Sequence, residues 1–251
     1  MKIFLKNNWQ FLLFVLIGGL LGGYFAALYM YDLLPYEMLR QIQEQNITKE
    51  YLAVISMIQY GFFYGLILGC IGISISKKVN LWKKFEWNKK ALVITLIITI
   101  ICSLIIFPGD KLIFGPFSTW VNSQYTIQPT ISKIFAGLLA GGIIEEVMLR
   151  LFLMSLIVLV ISKLLYKKKE IPIIVYIIAN IIATFVFAVG HIPSTIQMTS
   201  LTPVILVRCF LFNGGLGLCY GYLYRKYGIG YAMLSHGLCH LISDILMIIF
   251  I

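Results

Sequence analysis

Residues Ala91 to Pro108 read ALVITLIITIICSLIIFP, an unbroken apolar run without one charged side chain. A spanning helix needs roughly 20 apolar residues at about 1.5 Å each, so a run of this kind predicts a membrane crossing. Six further runs belong to the same class: Trp9–Tyr31, Tyr51–Ser76, Ile134–Ser162, Ile171–His191, Pro203–Tyr224 and Gly230–Ile251. The composition agrees, because 251 residues that are 60% hydrophobic and 12% charged cannot clothe a soluble domain with a solvated surface. The expected fold class is all-α, a polytopic transmembrane helix bundle of about seven spans with the lipid bilayer as its solvent.

The net charge of +10 would suggest nucleic acid in a soluble protein. Here the basic residues lie in short stretches between the apolar runs, as membrane topology requires, and nucleic acid is excluded as a partner. Lys2, Lys6, Lys77, Lys78, Lys83, Lys84, Lys89, Lys90, Lys163, Lys167, Lys168, Lys169, Arg225 and Lys226 all fall on alternate loops. The remaining loops carry Arg40, Lys49, Lys111 and Lys133, so the bias is 14 against 4 and predicts a cytoplasmic N-terminus and an external C-terminus. The start, Met1 to Gly23, has the lysines and apolar run of a secretory signal, but the run continues through Tyr31 without a convincing small-residue cleavage site. A retained first span is expected, in an integral protein of a bacterial cell membrane.

Cys70, Cys102, Cys209, Cys219 and Cys239 all lie inside apolar runs with no C-x-x-C spacing, and read as small buried hydrophobes. Loops are short, and no linker, low-complexity tract or repeat marks off a soluble domain. The glycines within Gly18–Gly23, Gly137–Gly142 and Gly214–Gly221 read as places where helix backbones approach closely.

Ionisable side chains are costly inside a bilayer unless paired or wetted, so those that remain are functional candidates. They concentrate on four spans: Glu145, Glu146 and Arg150 on the fourth, His191 closing the fifth, Arg208 on the sixth, and His236, His240 and Asp244 on the seventh. Glu146 and Arg150 stand at i and i+4 in the favourable order, so they can neutralise each other. Glu145 is turned about 100° away and is freer to face a cavity, which makes it the proton-transfer candidate. His236, His240 and Asp244 form one polar stripe at i, i+4 and i+8, and Pro193 favours ending the fifth span just after His191.

Glu145-Glu146-Val147-Met148-Leu149-Arg150 is an E-E-x-x-x-R motif, Phe187 to His191 is F-x-x-x-H, and His236 to His240 fits H-x-x-x-N except at its last residue. In these motifs and their order the chain resembles the CPBP family, the CAAX proteases and bacteriocin-processing enzymes also called the Abi family. The resemblance covers roughly Ile131 to Ile248, which divides the chain into N-terminal helices and loops, 1–130, and a CPBP-like catalytic helical core, 131–251. It implies an intramembrane endopeptidase acting on a membrane-associated peptide or protein, in peptide maturation, bacteriocin immunity or signalling. Carried over by position, Glu145 with His191 would activate the attacking water, His236 and His240 would stabilise the oxyanion, and Glu146 and Arg150 would be structural supports.

His240 stands where the family pattern usually has Asn or Asp. A histidine can still donate to an oxyanion, but Glu145, His191, His236 and His240 also make a set of potential zinc ligands. The resemblance favours a metal-free, Glu-activated water, with zinc as the competitor, and the cofactor stays open. Two other functions stay open: a non-catalytic immunity or sensor-modulating partner on the same fold, and a proton- or metal-coupled transporter, against which stands the lack of an internal repeat. The mechanism makes one demand on the fold. His191 lies about 30 Å along span five and His236 about 10 Å into span seven from the same side, so tilted helices, or a span five that starts in the cytoplasmic interface, must bring them together.

Overall fold

The computed structural model of the chain describes residues 2–166 and 170–251. Met1 and the basic residues Lys167–Lys169 lie outside the described residues. Among the described residues seven helices are long and apolar enough to cross a membrane and no strand occurs, which makes the chain an integral membrane protein with all-α architecture.

The elements run in order α1 (Ile3–Asp32), the short α2 (Tyr36–Glu44), α3 (Lys49–Lys78), α4 (Lys89–Leu104), α5 (Thr119–Gln124) and α6 (Ile131–Tyr166). After these come α7 (Ile173–Gly190), the short α8 (Ile192–Met198), α9 (Pro203–Tyr227) and α10 (Ile229–Phe250). The seven expected spans correspond to α1, α3, α4, α6, α7, α9 and α10. Several helices outrun their apolar runs, because a helix continues into the interfacial layer where polar side chains are solvated. The third span departs from a plain helix: Phe107, which precedes Pro108, is extended at φ −139° and ψ 124°, as the ring of the following proline favours. The loop from Asp32 to Glu50, which looks featureless in sequence, contains α2, whose Leu39 and Ile42 form a half-buried stripe among exposed polar neighbours.

Without a hydrophobic force between helices in lipid, close van der Waals contact and small residues hold the bundle. A Cβ on Gly22 of α1 would lie 2.8 Å from the Ala140 backbone nitrogen of α6, and one on Gly142 of α6 would lie 2.6 Å from the Cα of Gly237 on α10. Only glycine permits either approach. On its other side α10 is tied to α4 by small hydroxyls: Thr99 Oγ1 and Ser235 Oγ are 2.9 Å apart, and Ser103 Oγ donates to the Cys239 carbonyl at 3.3 Å. The N-terminal spans thus grip two faces of the helix pair that carries the polar residues.

Lys83 Nζ donates to the carbonyls of Arg225 and Lys226 at 3.0 and 2.7 Å, and Lys77 Nζ to Asn8 Oδ1 at 3.4 Å. The N-terminal turns, the 79–88 loop and the α9–α10 turn therefore share one end of the bundle. Lys83 covers orphan carbonyls at the end of α9, where a cation is favoured; burial and the neighbouring Arg225 and Lys226 charges lower its pKa. At the opposite end Arg208 on α9 binds Asp110 with two bonds of 2.7 and 2.6 Å, and Tyr125 donates to the same carboxylate at 2.5 Å. This buried clasp fixes the segment between α4 and α6.

Candidate active site

Glu145 and Glu146 are neighbours on α6, and helical geometry sends them to different surroundings. The side chain of Glu146 is 0% exposed and that of Arg150 1%, whereas Glu145 is 28% exposed and His191 34%. One carboxylate is therefore part of the packed interior and the other is reachable.

The buried half is a three-way junction. Glu146 Oε1 lies 3.3 Å from Arg150 Nη1 and accepts a 2.8 Å hydrogen bond from His236 Nδ1. Arg150 Nη2 donates to the Gly217 carbonyl at 3.0 Å, a bond that depends on the missing side chain, since a Cβ there would sit 2.8 Å from the same Nη2. The guanidinium also faces the rings of Phe187 and Tyr220 at 5.2 and 5.8 Å. Tyr220 in turn stacks on His236 at 4.4 Å with 14° between planes. Such a shell locks the His236 ring in place and in one tautomer, because a carboxylate only accepts and Nδ1 must therefore carry the proton.

The reachable half is built around Glu145. Its Oε1 is 4.0 Å from His191 Nε2 and its Oε2 is 3.9 Å from His236 Nε2. His191 closes α7, and its Nδ1 donates to the Phe187 carbonyl at 2.9 Å, satisfying an acceptor at the helix end. In the neutral ring the lone pair is consequently on Nε2, toward Glu145. His240 completes the group, with its Nε2 3.2 Å from His236 Nε2. As His236 Nε2 bears the lone pair, His240 Nε2 is the donor of that pair.

Two of the glycines have a use beyond backbone approach. A Cβ on Gly137 would lie 2.9 Å from the Cβ of His240, and one on Gly141 would lie 3.2 Å from His240 Nε2. Lys133, Gly137, Gly141 and Glu145 follow at intervals of four on α6 and run against His236, His240 and Asp244 on α10, with Lys133 Nζ and Asp244 Oδ1 closing the row at 2.9 Å. Asp244 thus lies on the expected polar stripe but binds Lys133, and Arg208 is engaged by Asp110 outside the group.

The structure brings together all six residues singled out by the sequence motifs: Glu145, Glu146, Arg150, His191, His236 and His240. The difference in depth between His191 and His236 is absorbed, since both reach one carboxylate, which requires staggered or inclined helices. Tyr220 and Gly217 are not singled out individually by the sequence, and Lys133, which the sequence reading assigns to a loop, lies instead in the first turn of α6 and pairs with Asp244. Spacing carried a signal for Lys133, Gly137 and Gly141, which share the Glu145 face, whereas Tyr220 and Gly217 become visible only in three dimensions. Among the described residues no group of three or more His, Cys, Asp or Glu side chains is placed to hold a metal ion. No disulfide forms either, and Cys102, Cys209 and Cys239 are buried thiols.

In a comparison with known families, residues 127–242 match the model described as Rce1-like, type II CAAX prenyl endopeptidase. That interval contains all six residues above. No curated protein and no solved structure matches the chain.

Proposed function

We propose that the chain, whose residues 127–242 match the model described as Rce1-like, type II CAAX prenyl endopeptidase, is an active intramembrane endopeptidase with Glu145 as general base. The observation that carries this reading is the reachable Glu145 carboxylate set between the Nε2 atoms of His191 and His236, at 4.0 and 3.9 Å. Both Glu145 Oε1 and His191 Nε2 are acceptors. A water at about 2.8 Å from each can donate one hydrogen to each, which leaves an oxygen lone pair for attack on a peptide carbonyl carbon. As the C–O bond forms, the proton passes to Glu145. The same carboxyl then gives it to the leaving amine nitrogen as the C–N bond breaks.

The developing oxyanion needs donors that are already in place. His240 supplies Nε2–H by turning it from His236 to the substrate oxygen. His236 supplies one when protonated, a state for which the buried Glu146 carboxylate provides the counter-charge, while Arg150 holds Glu146 in position.

The substrate class is a membrane-associated peptide or protein, processed in peptide maturation, bacteriocin immunity or signalling, in a bacterial cell membrane with the basic end of the bundle in the cytoplasm. His240, in the place of the family's usual Asn or Asp, favours one alternative, a non-catalytic immunity or sensor-modulating partner. Comparative peptidomics of cells carrying wild type or Glu145→Ala separates the two. Product peptides that vanish with Glu145 support the peptidase, and unchanged peptide pools with retained biological effect support the partner.

A further inference from the structure

A cavity of about 820 Å³ lies at the basic end of the bundle, and none of Glu145, His191, His236 or His240 lines it. It is bounded by the first turns of α1, the 82–87 segment and the start of α10, with α6 behind. The tight Gly142–Gly237 crossing stands between it and the catalytic group. Its volume falls in the roughly 300–1,000 Å³ range of small-ligand sites.

The two ends of this cavity have opposite chemistry. The inner wall is aliphatic, with Leu138, Ile143, Leu234 and Leu238. The mouth carries Lys6 and Lys84 beside the exposed indoles of Trp9 and Trp87. Among the described residues neither lysine forms an ion pair with a carboxylate. The third lysine there, Lys83, is already turned to the α9 carbonyls. Indoles mark the depth of the headgroup layer, and two ammonium groups at that depth attract an anion. A purely apolar occupant would leave the cations unused, and a zwitterionic headgroup would bring a cation of its own.

We propose that this cavity binds an anionic glycerophospholipid from the leaflet at the basic end, with its phosphate at Lys6 and Lys84 and an acyl chain along the aliphatic wall. Native mass spectrometry of the purified full-length chain in neutral detergent tests it, with phosphatidylglycerol or phosphatidylcholine of the same chains added, and with glycerol phosphate or a prenylated peptide as competitor. Wild type should retain phosphatidylglycerol about tenfold over phosphatidylcholine, and the Lys6→Gln/Lys84→Gln double variant should lose that preference. Leu234→Trp, which fills the wall, should retain neither lipid, with thermal unfolding of both variants as the control for folding. Equal retention of the two lipids by wild type would overturn the proposal, as would an unchanged preference in the folded double variant. Displacement of the lipid by glycerol phosphate would reassign the site to a free anion, and displacement by a prenylated peptide would reassign it to substrate.

Discussion

His236 donates its Nδ1 proton to Glu146 Oε1 at 2.8 Å, inside a shell that Arg150 and Tyr220 complete. The second glutamate of the motif therefore answers to both a cation and an imidazole. Its role joins stability to orientation, because it fixes which nitrogen of His236 faces the reactive space.

Arg150→Ala should destabilise the protein by about 3–5 kcal/mol, the usual result of leaving one partner of a buried ion pair uncompensated. Thermal unfolding in detergent and abundance in membranes are the measurements. A variant as stable as wild type but inactive would mean that Arg150 acts on the substrate or transition state.

Gly137→Ala should lower turnover without removing the protein from the membrane, since the new Cβ would lie 2.9 Å from that of His240 and push the ring aside. Gly142→Ala should act on stability, because its Cβ would lie 2.6 Å from a backbone atom of Gly237 and separate the helices. Overpacking of this kind costs about 1–3 kcal/mol. Unfolding midpoints and rates measured on the same preparations should divide the two variants in this way.

Both sites lie on faces that the sequence half revealed. Seven spans were legible because lipid demands long apolar runs, and Glu145, His191 and His236 stood out because charge is rare inside such runs. The Glu146–His236 bond was not legible, since helical spacing fixes which residues of α6 share a face but not which face meets α10. That choice is made by Gly142 and Gly237, which allow the helices to touch, together with the hydroxyls of Thr99 and Ser103. The Asp110–Arg208 clasp joins residues 98 apart and left no local trace. α2 escaped notice because nine residues are too few to show a span-length apolar pattern.

His240→Asn should keep most of the activity, because the amide also donates a hydrogen bond, whereas His240→Ala should lose about 10²–10³ in rate. Elemental analysis accompanies the assay. Stoichiometric zinc in wild type that disappears together with activity in His240→Asn would make His240 a ligand, since Asn is a poor substitute for imidazole at a bond of roughly 2.0–2.1 Å.

Orientation has a direct check in cysteine accessibility. A cysteine placed at Lys84 should react with membrane-impermeant reagent only after the cytoplasmic face is opened, and one at Lys111 should react from outside. The reverse pattern would invert the bundle and move the lipid site to the other leaflet.

The central claim is that Glu145 takes the proton of the attacking water with His191 as its partner acceptor. Product release from proteoliposomes loaded with equal amounts of wild type and Glu145→Gln measures it most directly. The amide keeps the size of the side chain but cannot act as a base, so the rate should fall by about 10²–10⁴ while membrane insertion and unfolding temperature hold. Normal product release by Glu145→Gln would contradict the account and remove Glu145 from the chemistry.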